Sequence, residues 1–229
     1  MKNVAILTDT SLGISRREAE SLGYNMIALP FILDEKEYDD DTLSKDDFYE
    51  KLKEAKDIHT SQASSENIRK TLDLLLEKHD KVLYFPITSG LSGSYLSALA
   101  IASENKYKDK VIVVDHKTIS VLQLIMLDDV SKMIKGGVDL LEIKKIIEDN
   151  AKNNRIYISV DTLEYLKKGG RISGIATTVG NLLSIKPILF SNGGKFEVIK
   201  KVRGLKAAED AMIELIDKDI KEVYKNVKR

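Results

Sequence analysis

The feature that most constrains this chain is an alternation of short, continuous Val/Ile runs with stretches of helical apolar spacing. Val4-Ala-Ile-Leu7, Val82-Leu-Tyr-Phe85 and Val111-Ile-Val-Val114 are the clearest runs. A strand that is apolar at every position, rather than every second one, has both faces covered. Helices between such strands supply both covers, so the pattern predicts a doubly covered parallel sheet in an α/β fold. The helices are legible in the same way. Ser15 to Gly23 ends on a glycine suited to the left-handed turn after a helix. Ile68, Leu72, Leu75 and Leu76 share one helical face, and Phe48, Leu52 and Ala55 mark a shorter helix. Ile58-His-Thr60 reads as extended, Asp39-Asp-Asp41 as a solvated loop, and Tyr95 to Ser103 as a helix.

After residue 150 the pattern changes. Arg155 to Val160 is strand-like, Leu163 to Lys168 is a short helix stopped by Gly169-Gly170, and Ile188–Phe190 with Phe196–Ile199 form a hairpin around Asn192-Gly-Gly194. A final helix is expected to bury Leu205, Ala208, Met212, Leu215, Ile216 and Val223 on one side. The reading is two domains: a parallel α/β domain over 1–150 and a smaller, mixed-sheet α/β domain over 151–229. A hairpin and one long helix bury little alone, so the second domain is expected to be incomplete by itself. A length of 229 residues suits one large or two small domains, at roughly 100 to 200 residues each.

Composition narrows the function. The 36 basic and 36 acidic residues cancel, which disfavours a bulk electrostatic partner such as nucleic acid or an anionic membrane. Without cysteine there is no disulfide, thiolate metal site or thiol nucleophile. No stretch approaches the roughly 18 apolar residues of a membrane span, and the longest candidate, Ile119 to Leu127, contains Gln123. The N-terminus runs straight into a strand pattern with no cleavable signal. Together these features predict a cytoplasmic protein without stable membrane insertion.

In parallel sheets, ligands collect beyond the carboxyl ends of the strands. Four segments rich in hydroxyls or aspartate are expected there: Thr8-Asp9-Thr10-Ser11, Thr60-Ser61-Gln62, Thr88 to Ser94, and Asp115-His116. Two of them precede helices, whose first turns carry unpaired N–H groups and a partial positive charge suited to an anion. The plainer alternative is that these Ser and Thr residues only cap their helices. Gly90-Leu-Ser92-Gly93-Ser94 lacks the Lys of a phosphate-binding loop and falls one glycine short of a hydrolase elbow, G-x-S-x-G. A serine esterase using Ser92 with His116 as base is therefore a second reading. The scattered histidines His59, His79 and His116 show no metal-ligand spacing, and no cofactor is implied. Gly169-Gly170-Arg171 projects an arginine suited to carboxylate or phosphate, or else is a surface arginine beside a helix end.

Taken in order, these segments resemble the DegV family of fatty-acid-binding proteins. The resemblance rests on Thr8-Asp9-Thr10-Ser11, Thr60-Ser-Gln-Ala-Ser64, Pro86 to Tyr95, Val113-Val-Asp115, Tyr165 to Ser173, Lys186-Pro-Ile-Leu189 and Lys200-Lys-Val-Arg203. It implies a carrier rather than an enzyme. A long-chain fatty acid would be held by its carboxylate at Thr60 and Ser92, with Ser61, Gly93 and Arg171 around it and the tail in an apolar tunnel. It also implies a partner kinase subunit that binds ATP and converts the bound acid to an acyl phosphate for phospholipid metabolism. Arg171 and Arg203 would then meet that partner or the phosphate. Ala63 stands where the family usually has proline, and His116 where it usually has serine. Family chains usually continue past the last helix into a strand–helix–strand segment, so the second domain is expected to be C-terminally shortened. A degenerate, non-binding family member is the third reading.

Overall fold

The computed structural model describes residues 3–173 and 184–225. The chain divides into two compact units, one comprising Met1–Asn154 with Asn192–Gly194, the other Arg155–Ser191 with Lys195–Arg229. The overall neutrality conceals a division: the first unit carries an acidic surplus and the second an equal basic one.

The first unit is built on a four-stranded parallel sheet of β1 (Val4–Asp9), β2 (Tyr24–Ile27), β6 (Lys81–Phe85) and β7 (Val111–Val113), in the order β2-β1-β6-β7. Alternate residues of each strand feed opposite cores. Ala5, Leu7, Val82, Tyr84, Val111 and Val113 pack beneath α3 (Ser65–Leu76) and α4 (Ser94–Ala102). Ile6, Leu83 and Phe85 pack with Ala19 of α1 (Arg16–Ser21), Leu127 and Val130 of α5 (Ser120–Lys135), and Ile143 of α6 (Leu140–Ala151). This double cover is what the uninterrupted apolar runs dictated.

Local chemistry sets the helix starts. Ser15 caps α1 in a reciprocal box with Glu18, and Ser64 caps α3 by accepting from the Asn67 N–H. Asp139 caps α6 through the Leu141 N–H at 2.9 Å.

A second, antiparallel sheet in this unit comprises β3 (Pro30–Leu33), β4 (Lys36–Asp39) and β5 (Ile58–Thr60), in the order β4-β3-β5. Two expectations are corrected here. Asp39 ends strand β4 rather than lying in a loop, because Asp34 and Glu35 both adopt positive φ and turn the chain back as a tight hairpin. Thr60 ends β5, paired with Phe31, so it does not belong to the parallel sheet that precedes Ser92. The three-residue β5 carries too short a pattern to reveal its partner. α2 (Lys45–Glu54) connects β4 to β5.

The second unit holds an antiparallel sheet, β10-β9-β8, of β8 (Ile156–Ser159), β9 (Ile185–Ser191) and β10 (Glu197–Arg203). Among the described residues, an isolated bridge between Ile172 and Phe196 is parallel. α7 (Glu164–Lys168) and α8 (Leu205–Glu222) complete it. α8 buries Ala208, Ala211 and Asp219, the last accepting from the Tyr157 hydroxyl at 2.6 Å. Leu205, Ile216 and Val223 are exposed, against expectation. The buried stripe runs through the small residues, and the larger apolar ones sit on its flank.

Candidate functional site

At the end of β1, Asp9 is fully buried. Its carboxylate accepts from the Ser11 N–H and hydroxyl (3.1 and 2.5 Å) and from the Ile87 N–H (2.6 Å). Burial outweighs those hydrogen bonds and pushes its pKa up to about 6. Gln123, also buried, accepts from the Ser11 hydroxyl (3.1 Å) and donates to Thr8 Oγ1 (2.8 Å). Thr8 and Asp9 thus tie the ends of β1, β6 and α5 together; their polar atoms are occupied within the protein.

His116 is likewise structural. Its Nε2 donates to the Pro86 carbonyl at 2.8 Å, which makes Nδ1 the acceptor for the Thr118 hydroxyl at 2.9 Å and the Thr118 N–H at 3.3 Å. Burial lowers its pKa to about 4. With both ring nitrogens engaged and the ring held neutral, it has no position free to take a proton from Ser92. The esterase reading loses its base. His59 is exposed and paired with Asp57, and His79 bonds the Asn3 side chain. Among the described residues there is no group of three or more potential metal-ligating His, Cys, Asp or Glu side chains. Nor is any described helix long and apolar enough to cross a membrane.

The loop after β6 is organised differently. Thr88, buried, donates to the Gly193 carbonyl at 2.8 Å. Gly90 lies so close to Gly193 and Gly194 that a Cβ on it would sit 2.5 Å from the Gly194 Cα. Ser92 then accepts from the Ser94 N–H at 3.2 Å, and its hydroxyl meets that of the buried Ser94 at 2.9 Å. The N-cap of α4 is Gly93, which has no side chain, and the Ser92 hydroxyl takes the N–H of Ser94, the first residue of the helix, in its place. If Ser94 donates to Ser92, the Ser92 proton is left to point outward to an acceptor. Two hydroxyls in series at the open end of a helix form a donor without a charge.

The Thr60 segment meets this loop through a residue that residue-type reasoning did not single out. Gln62 extends its side chain over Gly93, and its Oε1 would lie 2.7 Å from a Cβ placed there. The neighbouring Ser61 N–H is fixed on the Pro30 carbonyl at 3.0 Å, while the Ser61 side chain lines a cleft of about 390 Å³. That cleft also touches Gln62, Ser64, Asn67, Glu37 and Asp39. Thr60 itself is exposed. The signal for Gln62 was a glycine at the N-cap of a helix, where a side-chain acceptor is the rule.

On the other side of the same loop, Asp115 accepts from the Ser89 N–H (3.2 Å) and hydroxyl (2.6 Å), and pairs with Lys117 at 2.6 Å. Burial acts to raise the Asp115 pKa, but the Lys117 and Ser89 bonds prevail and hold it below the ordinary carboxylate value. A second cleft, of about 590 Å³, runs between Tyr95, Asp115, Lys117, Glu148, Lys152 and the turn 192–194. In the second unit, Arg171 donates to the Gly169 carbonyl, while its own backbone carbonyl accepts from the Phe196 N–H at 2.8 Å. Arg203 ends β10, exposed, in register with Ile185.

The fold defines a two-unit α/β protein whose hydroxyl-bearing loop opens at the carboxyl end of a central parallel strand. The family model described as "Uncharacterised protein, DegV family" matches residues 3–227, and the chain belongs to the DegV family. A DegV domain-containing protein of Clostridium acetobutylicum is 32% identical over 220 residues, covering 94% of this chain and 77% of the relative. Among solved structures, a fatty-acid-binding DegV family protein from Thermus thermophilus matches with a TM-score of 0.82 at 28% identity. That match covers 94% of this chain and 77% of the other. A stearic acid-binding protein from Eubacterium ventriosum matches with a TM-score of 0.84 at 25% identity, covering 97% of this chain and 78% of the other.

Proposed function

We propose that this chain is a cytoplasmic carrier that binds a long-chain fatty acid and offers its carboxylate to a partner kinase, without catalysing a reaction itself. The observation that carries this reading is the pair of serine hydroxyls at the start of α4, with the segment after Thr60 laid against Gly93. The fatty-acid binding of structural relatives supports it.

In this reading Ser92 and Thr60 donate to the carboxylate, Ser61 and Gly93 line its seat, and the helix N-terminus offsets its charge. Neutral donors hold the head group while leaving an oxygen accessible to a phosphoryl donor. The tail occupies an apolar tunnel, gaining about 0.8 kcal/mol per buried CH₂, which makes the tail the main source of affinity. Arg171 and Arg203 serve the charged substrate and the ATP-bearing partner, whose product is an acyl phosphate. The hydroxyl loops belong to the first unit and the arginines to the second.

Native mass spectrometry of gently purified protein should show an acyl ligand, or one should load from palmitate. Failure of both ends the proposal. Ser92→Ala should weaken palmitate binding by about 1.5–3 kcal/mol, as expected for a hydrogen bond to a charged group. Titration calorimetry reads that change directly.

A further inference from the structure

We propose that Asp9 holds a proton it shares with Ser11 and Gln123, and that seating the fatty acid at the loop Asp9 anchors draws that proton in; the linkage rests on the fatty-acid reading above. The three side chains meet where β1 ends. Asp9 and Gln123 are fully buried, and the Ser11 hydroxyl lies 2.5 Å from an oxygen of the one and 3.1 Å from the amide oxygen of the other. Both neighbours are acceptors when Asp9 is ionised, and a serine hydroxyl has one proton to give. One of two buried acceptors then goes short of a donor, which costs free energy.

The far end of Gln123 fixes which atom faces Ser11. Its Nε2 donates to Thr8 Oγ1 at 2.8 Å and lies 3.4 Å from the Phe85 carbonyl, to which the Thr8 hydroxyl already donates at 3.1 Å. Turned over, the amide would set its oxygen against that carbonyl, two acceptors facing each other. The amide oxygen therefore stays on Ser11 and needs a donor there. A proton on Asp9 supplies it. The acid donates to Ser11 Oγ, the Ser11 proton is freed for Gln123, and the chain from Asp9 to the Phe85 carbonyl runs donor to acceptor throughout. Burial acts in the same direction, raising the Asp9 pKa to about 6. The titratable groups facing it are Asp40, beyond β4, whose charge also favours the proton, and Tyr84 of β6, kept neutral by burial. Ser11 and Gln123, on the turn after β1 and on α5, bring no charge, and among the described residues no cation pairs with Asp9.

The other carboxyl oxygen of Asp9 accepts from the Ile87 N–H at 2.6 Å, which anchors the start of the hydroxyl loop. The next residue, Thr88, takes the N–H groups of Leu91 and Ser92 on its carbonyl, at 3.0 and 3.2 Å, so Ser92 stands one tight turn from the anchor. A carboxylate received at Ser92 places a second negative charge at the far end of that short loop. Like charges oppose each other's ionisation, so the ligand favours the protonated form of Asp9. Linkage is reciprocal: a protonated Asp9 favours the ligand by the same factor, and the affinity contributed through Asp9 falls as pH rises past its pKa.

The test follows the Asp9 carboxyl carbon of the full chain by NMR against pH, with and without palmitate. In free wild type it should titrate near pH 6 rather than near 3.8. Gln123→Met removes the competing amide oxygen at similar volume and returns the Ser11 proton to Asp9. It should lower that midpoint by about one pH unit, the worth of one hydrogen bond. Palmitate should raise the wild-type midpoint by at least about half a pH unit, a roughly threefold change in proton affinity. Calorimetry at pH 6 in two buffers of different ionisation heat should show more protons taken up per palmitate by wild type than by Asp9→Asn, which has none to gain. A free midpoint at or below about 4, or one that Gln123→Met leaves unmoved or raises, overturns the shared proton. If palmitate binds but neither moves the midpoint nor draws protons beyond the Asp9→Asn amount, the linkage is overturned and fatty-acid binding stands. If palmitate does not bind, the carrier reading and the linkage fall together, while the free-protein titrations still decide the shared proton.

Discussion

His116 shows what the sequence conceals at the scale of one residue. A histidine following a strand, near a Gly-Leu-Ser-Gly loop, has the makings of a general base, and only its two buried hydrogen bonds reveal a structural post. Its role has a measurable consequence. The folded pKa of about 4 lies below the unfolded value of 6.5, so the unfolded chain binds the extra proton. Stability from this residue is complete above pH 6.5 and is lost as pH falls toward 4, by an amount on the order of 3 kcal/mol. Asp9 acts in the opposite sense: its pKa is raised from 3.8 to about 6, so its contribution declines as pH rises through that range. Urea midpoints between pH 4 and 7 should fall less steeply toward acid in His116→Asn than in wild type, whatever the variant's absolute stability. An unchanged slope would show that the ring is not held neutral. Ser92 and Thr60 were nameable from residue type and family pattern, whereas Gln62 was not, because its partner is a missing side chain.

At the scale of elements, legibility followed the length and uniformity of the apolar pattern. β1, β6 and β7 carry uninterrupted runs and were plain; α3 places Ile68, Leu72 and Leu75 in the core as its spacing requires. The sheet of β3, β4 and β5 was not legible as a sheet. Its strands are three or four residues long, and β4 is exposed and charged, so tertiary pairing alone makes it a strand. α8 was found as a helix with its face read in part: Ala208 is buried and Met212 and Leu215 half-buried as expected, whereas Leu205, Ile216 and Val223 are exposed. Glycine contacts between elements also escape a one-dimensional reading. Gly90 meets the backbone of Gly193 and Gly194 so closely that it admits no Cβ, and Gly193, at φ +95°, is closed to one by Lys117. Gly90→Ala should destabilise the protein by about 3 kcal/mol or more, because the clash is with backbone that cannot step aside. Thermal unfolding would check this, and a melting temperature within a degree of wild type would refute it.

For the whole molecule, formal neutrality misleads about surface behaviour. The acidic surplus of the first unit and the basic surplus of the second each present a field of their own. Near pH 7, where the net charge vanishes, the protein should be retained by both anion and cation exchangers at low salt. Both modes should fade together above roughly 0.15 M salt, where the screening length is about 8 Å. Passage through both columns at 10 mM salt would show that the charges are evenly mixed. The zero in the composition could not show this, because it contains no information about where along the chain the signs lie.

Three residues, Asn192 to Gly194, cluster with the first unit although the chain on either side of them clusters with the second. Neither unit is thus one continuous stretch of gene. An expression boundary drawn after Asn154 would yield a first unit with the Thr88 hydroxyl robbed of its acceptor and the Gly90 backbone laid bare. Anyone seeking that half in isolation must graft the missing tripeptide back, or cut elsewhere.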